Sequence, residues 1–179
     1  MKKGNLLIVG AGSYALVTAE IAEEMGCFDK IAFVDDKIKT LKNGANVVGT
    51  TQDIDRLAGE YSHIIVAIGN PEVRRSFLEH IQSETQYRIP SLISPRAYVS
   101  PSAKVSDGCI IGPMAVIQTA CVLEEGCIIS AGAVVNHEST CGKCVHVDCN
   151  GTVAAYVSVP VGRKVCSGEV YNTYSEATE

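Results

Sequence analysis

His137 and Glu138 stand side by side in the stretch VVNHESTCGK, residues 134 to 143, where small and aliphatic residues otherwise recur. A histidine exchanges its proton near neutral pH, so it suits the removal of a proton from a nucleophile. A carboxylate beside it can hold the ring in one orientation and stabilise the imidazolium that forms. A solvated turn with an incidental acid would read the same way. His146 follows closely, and Cys141, Cys144 and Cys149 crowd the same segment, the first two in a C-x-x-C spacing. A tetrahedral zinc site would need these side chains to converge. Near the start, GAGSYA places Gly10, Gly12 and Ala15 in a G-x-G-x-x-[GA] pattern, with Ser13 between them, either a backbone cradle for a phosphate or sugar or a simple tight turn. Asp35 and Asp36 come about 25 residues past Gly10, where an acid commonly meets a ribose or base.

The elements that must position these residues follow two grammars. Residues 4 to 90 alternate short apolar runs with helical patterns: NLLIVG at 5–10, a helix over 13–26 stopped by Gly26, a strand over 30–36, a short helix over 52–60, a strand over 63–69, and a helix over 71–84 with proline in its first turn. That alternation predicts a small Rossmann-like parallel sheet with helices on both faces. Beyond RIPSLISP, every sixth residue from Val99 to Val165 is apolar: Val99, Val105, Ile111, Ile117, Leu123, Ile129, Val135, Cys141, Val147, Val153, Val159, Val165. A second column, four residues on, stays small from Ala103 through Val157 and is broken by Arg163 and Glu169. A period of 3.6 cannot hold that register, whereas stacked coils of short strands can. Cys141 lies in the inward column and Cys144 and Cys149 do not, so the thiols and histidines diverge and no metal is expected. His137 falls two places after an inward residue, at an outward corner.

Composition narrows the function classes. The chain has 179 residues, 46% of them hydrophobic, enough for a real core. A net charge of -5 without a Lys/Arg cluster gives no footprint for nucleic acid. No apolar run reaches the roughly 18 residues that span a bilayer, so no membrane insertion is expected, and the start does not read as an export signal. The expectation is a cytoplasmic protein whose eight cysteines are reduced and mostly buried fillers.

The repeat columns over about 99 to 170 resemble the hexapeptide-repeat acyltransferases. The segments IVGAGSYA, FVDD, VVGTTQDI and VAIGNPEVRRSF resemble the N-terminal domain that precedes the repeats in the sialic acid O-acetyltransferase and nucleotide-amino-sugar N-acetyltransferase family. That likeness implies a Rossmann-like nucleotide-sugar-binding domain over 1–95, a left-handed parallel β-helix of about four coils over 96–170, and a tail over 171–179. It implies a homotrimer with its active site between adjacent β-helices, acetyl-CoA as co-substrate, and a nucleotide sugar or sialic-acid-type sugar as acceptor in surface-glycan biosynthesis. By the same likeness His137 is the general base and Glu138 its orienting partner. Gly10, Gly12, Ser13, Asp35, Asp36, Gly69 and Asn70 hold the sugar nucleotide, and His146, Gly142 and Ala155 lie against the coenzyme. The chain departs from the family pattern at Tyr14, where histidine is common, and at Ala154-Ala155, where an Ala-Gly step is usual. Relatives usually continue for several more hexapeptides. The alternative is therefore a trimeric sugar-nucleotide-binding or scaffolding protein with a truncated coenzyme site.

Overall fold

The computed structural model describes residues 4–45 and 47–173. Strands β1 (Gly4–Val9), β2 (Phe28–Val34), β3 (Val47–Gly49) and β4 (His63–Val66) form one parallel sheet in the order β3-β2-β1-β4. Successive side chains of a strand face opposite sides, so each central strand is apolar on both. Leu6 and Ile8 of β1 pack with Ala15, Ala19 and Ala22 of helix α1 (Ser13–Met25), whereas Leu7 and Val9 pack with Ile54 and Leu57 of helix α2 (Ile54–Leu57) and Leu78 and Ile81 of helix α3 (Pro71–Glu84). Helices thus cover both faces, as the alternation predicts. Helix α3 has the expected bounds, with proline at its first turn and Asn70 Oδ1 accepting from Val73 N at 3.0 Å. Two elements differ from expectation. The helix predicted over 52–60 is a 3-10 turn, Thr51–Asp53, followed by the single turn of α2, and β3 is a strand too short for its alternation to register.

From Leu92 the chain winds into a parallel β-helix of two-residue strands on three faces. The first face stacks Leu92–Ile93, Ile110–Ile111, Ile128–Ile129, His146–Val147 and Lys164–Val165; the second Tyr98–Val99, Val116–Ile117, Val134–Val135, Thr152–Val153 and Val170–Tyr171; the third Lys104–Val105, Val122–Leu123, Thr140–Cys141 and Ser158–Val159. These strands make nearly five turns rather than about four, because Leu92–Ile93 already pairs in register with Ile110–Ile111 and Val170–Tyr171 closes the last described coil. Only residues 171–173 of the expected tail are described, and 174–179 lie outside the described residues. The second residue of each strand points inward. Both predicted columns fill one core, with Cys109, Cys121, Cys127 and Cys141 as wholly buried free thiols. Arg163 and Glu169, which break the small column, are exposed and half-buried respectively and pair with each other at 3.3 Å.

Each coil turns three corners, and every sixth residue from Gly108 to Gly168 adopts a left-handed φ between 56° and 73°. Glycine takes this conformation without penalty, and it holds five of these eleven places. Met114, Ala120, Glu138, Cys144, Asn150 and Tyr156 hold the others.

The two units meet along the first face and the corner that precedes it. The outward residues Leu92, Ile110 and Ile128 belong to the same cluster as α1 and β1. At the corner, Arg74 of α3 is wholly buried and has no carboxylate partner among the described residues. Its guanidinium donates instead to four backbone carbonyls: Ile68 O at 2.7 Å, Gly69 O at 3.0 Å, Gly126 O at 2.8 Å and Cys144 O at 2.6 Å. Two of these acceptors belong to the Gly69 loop and two to consecutive coils. Burial pulls the Arg74 pKa down, and the dipoles of these carbonyls keep the guanidinium solvated inside the protein. Arg74→Met keeps the volume but strips four acceptors of their donor. We expect a loss of about 3–4 kcal/mol of stability, read as a lower urea midpoint, because the orphaned carbonyls outweigh the relief of burying no charge.

Candidate active site

The Gly10 turn opens a cleft of about 270 Å³ at the C-terminal ends of the parallel strands, the usual ligand edge of such a sheet. Gly10 has φ 104° and lies against the Ala67 carbonyl, so a side chain there would be strained. Asp35 and Asp36 both line the cleft, and both are already engaged. Asp35 Oδ2 accepts from Ala11 N at 2.9 Å, and Oδ1 accepts from Lys37 N and Ile38 N at 2.8 Å, which ties the glycine turn to the end of β2. Burial pushes the Asp35 carboxyl up, but the backbone N–H groups of Ile38, Lys37 and Ala11 outweigh it and hold its pKa below the ordinary value. Asp36 accepts from Thr51 N and Oγ1 at 2.9 Å. Gly12 and Ser13 stand exposed at the start of α1, and no side chain caps that helix. Gly69 is pinned through its carbonyl to Arg74, and Asn70 caps α3. Thr51, Val73 and Phe77 also line the cleft and carried no signal in the sequence. A larger cavity of about 600 Å³, between Tyr61, His63, Tyr87 and Arg88, opens near the start of β4, away from the glycine turn.

His137 and Glu138 occupy the corner between the second and third faces. Their side chains are 41% and 50% exposed, and His137 Nδ1 lies 3.6 Å from Glu138 Oε2, an ion-pair distance too long for a direct hydrogen bond. Tyr156, one coil further on, sets its ring edge-on to His137 with centroids 5.0 Å apart and an interplanar angle of 90°. The corner therefore presents a histidine, a carboxylate and a phenol to the outside. The cleft is lined wholly by the parallel-sheet domain, which packs on the first face, across the prism from this corner.

His146 is elsewhere again. It occupies the outward place of the first face, in register with Ile128 and Lys164, and α1 covers it. It is 8% exposed, and its ring centroid is 6.1 Å from that of Tyr14. Nε2 lies 3.2 Å from Ser130 Oγ and 4.0 Å from Asp148 Oδ1, whose other oxygen meets Lys164 Nζ at 2.9 Å. Nδ1 is buried with no hydrogen-bond partner among the described residues. Burial pulls the His146 pKa to about 4, against the partial opposition of Asp148, so the ring is neutral at pH 7. Burial likewise pushes the Tyr14 phenol up, and it stays protonated. Gly142 is glycine for a packing reason: a Cβ would come within 3.0 Å of Val161 N on the next coil. Ala155 sits half-buried in the turn that leads to Tyr156. The described residues hold no group of three or more His, Cys, Asp or Glu placed to bind a metal ion.

Comparison with known proteins supports the geometry. Residues 5–81 match the PglD N-terminal domain, and residues 102–137 match the bacterial transferase hexapeptide (six repeats). No curated protein matches the chain. The acetyltransferase domain of PglB from Neisseria gonorrhoeae superposes with a TM-score of 0.89 at 31% identity, covering 94% of this chain and 82% of that one. The same domain in complex with acetyl coenzyme A matches equally well. The chain belongs to the hexapeptide-repeat sugar acetyltransferases. A mutant of perosamine N-acetyltransferase from Caulobacter crescentus, in complex with CoA and GDP-perosamine, matches with a TM-score of 0.82 at 22% identity, over 96% of this chain and 90% of that one, a likeness of fold. In this acetyltransferase the β-helix is left-handed and the parallel-sheet domain precedes it, as its sequence resemblance implies.

Of the sequence-predicted residues, the structure gathers Gly10, Asp35 and Asp36 in one cleft, Gly69 and Asn70 at the neighbouring start of α3, and His137 with Glu138 on a distant corner. Arg74, Ser130, Asp148 and Tyr156 went unread. The neutral, buried state of His146 has a measurable consequence. The unfolded chain binds a proton at His146 below pH 6.5 and the folded chain only below about 4, so stability is complete above pH 6.5 and is lost as pH falls toward 4. We expect His146→Gln to lose about 2–3 kcal/mol less than the parent between pH 7 and pH 4.5, measured by urea unfolding at both values.

Proposed function

We propose that the chain moves an acetyl group from acetyl-CoA to a nucleotide-linked amino sugar, or to a sialic-acid-type sugar, in surface-glycan biosynthesis. The observation that carries this reading is the 31% identical acetyltransferase domain solved with acetyl coenzyme A, which aligns with both units of the chain. The perosamine enzyme, with GDP-perosamine bound, supports a nucleotide sugar as the acceptor class.

In this reading the cleft at Gly10, Asp35 and Asp36 holds the nucleotide, with Gly12 and Ser13 offering free backbone N–H groups at the start of α1 to the phosphates. Gly69 and Asn70 border the sugar. His137 takes the proton of the attacking amine or hydroxyl through Nε2, because Nδ1 faces Glu138. Glu138 favours the imidazolium electrostatically, and the same proton then serves the leaving thiolate. Acetyl-CoA supplies the activated acyl carbon. The unpartnered Nδ1 of His146 fits a ligand that brings a polar atom into the crevice, and Gly142 and Ala155 border the coils along which the coenzyme would lie.

One chain keeps its cleft and its His137 corner on opposite sides, so the reading needs a second copy. The outward ladder of the second face, Tyr98, Val116, Val134, Thr152 and Val170, is largely apolar, and Tyr98 and Val170 are 57% and 59% exposed. A homotrimer would cover that ladder and bring a neighbour's cleft toward His137. No described helix is long and apolar enough to cross a membrane, and we place the enzyme in the cytoplasm, where acetyl-CoA and nucleotide sugars meet.

Mass spectrometry of acceptors tests the assignment. Incubation with acetyl-CoA and a panel of UDP- and GDP-amino sugars and sialic acids should add about 42 Da, the mass of one acetyl group, to one acceptor, and His137→Ala should lower the rate by about 100-fold or more. An unchanged rate in that variant would remove His137 from the mechanism.

A further inference from the structure

Tyr156 is held in a conformation that its own side chain disfavours. Its φ is 60°, in the left-handed region where a Cβ crowds the backbone, and five of the eleven equivalent corners use glycine instead. The core gains nothing in return, because Tyr156 is 65% exposed and takes no part in any core cluster. What the ring does touch is the neighbouring coil's corner. Its ring lies perpendicular to that of His137, with centroids 5.0 Å apart, its backbone N–H donates to His137 O at 3.2 Å, and Glu138 pushes the phenol pKa up. Glu138 itself sits 3.6 Å from His137 Nδ1, so the carboxylate does not fix the ring by a direct hydrogen bond. Among the described residues, the aromatic ring packed against His137 is that of Tyr156. Backbone strain that persists without a packing return concentrates at functional sites.

We infer that Tyr156 is a positioning residue of the active site: its ring fixes the plane of His137, at the expense of a strained corner. This rests on His137 being the general base. A ring set at right angles beside the imidazole limits its rotation, and so fixes the direction of the in-plane Nε2 lone pair that takes the acceptor's proton.

Stability and turnover should then move in opposite directions. Tyr156→Gly relieves the strained corner, so its melting temperature should equal or exceed that of the parent, while kcat falls about 10- to 100-fold and the KM for the sugar stays within about twofold. Tyr156→Phe keeps the ring and should recover most of the lost kcat. A Tyr156→Gly enzyme with parental kcat would overturn the inference, and so would a fall in kcat matched by a fall in melting temperature, which would mark an ordinary structural role. His137→Ala assayed alongside separates the two readings. If that variant keeps its rate, the base assignment is at fault; if it is inactive and Tyr156→Gly is not impaired, only the positioning role is wrong. NMR of histidine-labelled protein reads the same contact without turnover. The His137 imidazole C–H resonances, assigned with His137→Ala, should shift when the Tyr156 ring is removed, and resonances that stay in place would contradict the contact.

Discussion

A single buried guanidinium fixes the corner at which the parallel-sheet domain docks on the β-helix, beside the apolar contact of α1 with the first face. Arg74 lies on α3, yet its four acceptors are the carbonyls of Ile68 and Gly69 beside the cleft and of Gly126 and Cys144 on two successive coils. A planar fork with five donors can satisfy four carbonyls at once, which an ammonium on a flexible stem cannot. Around it the fit is close. A Cβ on Gly126 would fall 2.3 Å from Leu78 Cδ1, so glycine there lets α3 approach the coil. With the corner fixed, α1 lies over Ile110, Ile128 and His146, and the Tyr14–His146 crevice follows from that placement.

The β-helix solves a different problem. Its inward columns bury a continuous apolar core, while its corners need a left-handed residue at every sixth position. Glycine is the ready solution, and departures from it are informative. Cys144 departs where a small buried thiol packs against Arg74 and Leu78, and Glu138 and Tyr156 depart together, one coil apart, where His137 stands. The side chains that interrupt the regularity of VVNHESTCGK are thus matched by a second interruption in the coil beyond it.

What the sequence showed and hid follows from the range of each interaction. The inward columns were legible because stacking repeats the same environment every six residues, so two registers predict the inward places from Val99 to Val165. Leu92–Ile93 escaped because prolines flank it and the first coil has no predecessor to continue. Arg74 stands beside Arg75 on a helix, and two of its four acceptors lie 52 and 70 residues away, so no local pattern announces them. The acids after β2 were legible as belonging to the cleft, but not the fact that backbone N–H groups and Thr51 already engage their oxygens. Tyr156 could have been found in the sequence, since it falls in the register of Gly108, Gly126, Gly132, Gly162 and Gly168, where a large aromatic is out of place.

The account turns on a division of labour between copies: a cleft on one side of the chain, a histidine on the other, and a neighbour to join them. Co-assembly of two disabled chains tests that division most directly. One chain carries His137→Ala, the other carries Thr51→Arg to fill the cleft, and the two are refolded together and assayed for acetyl transfer. Mixed assemblies should regain a substantial fraction of the parental rate, because each intact histidine then meets an intact cleft from another copy. A mixture no more active than its separate components would contradict the account and confine the site to a single chain.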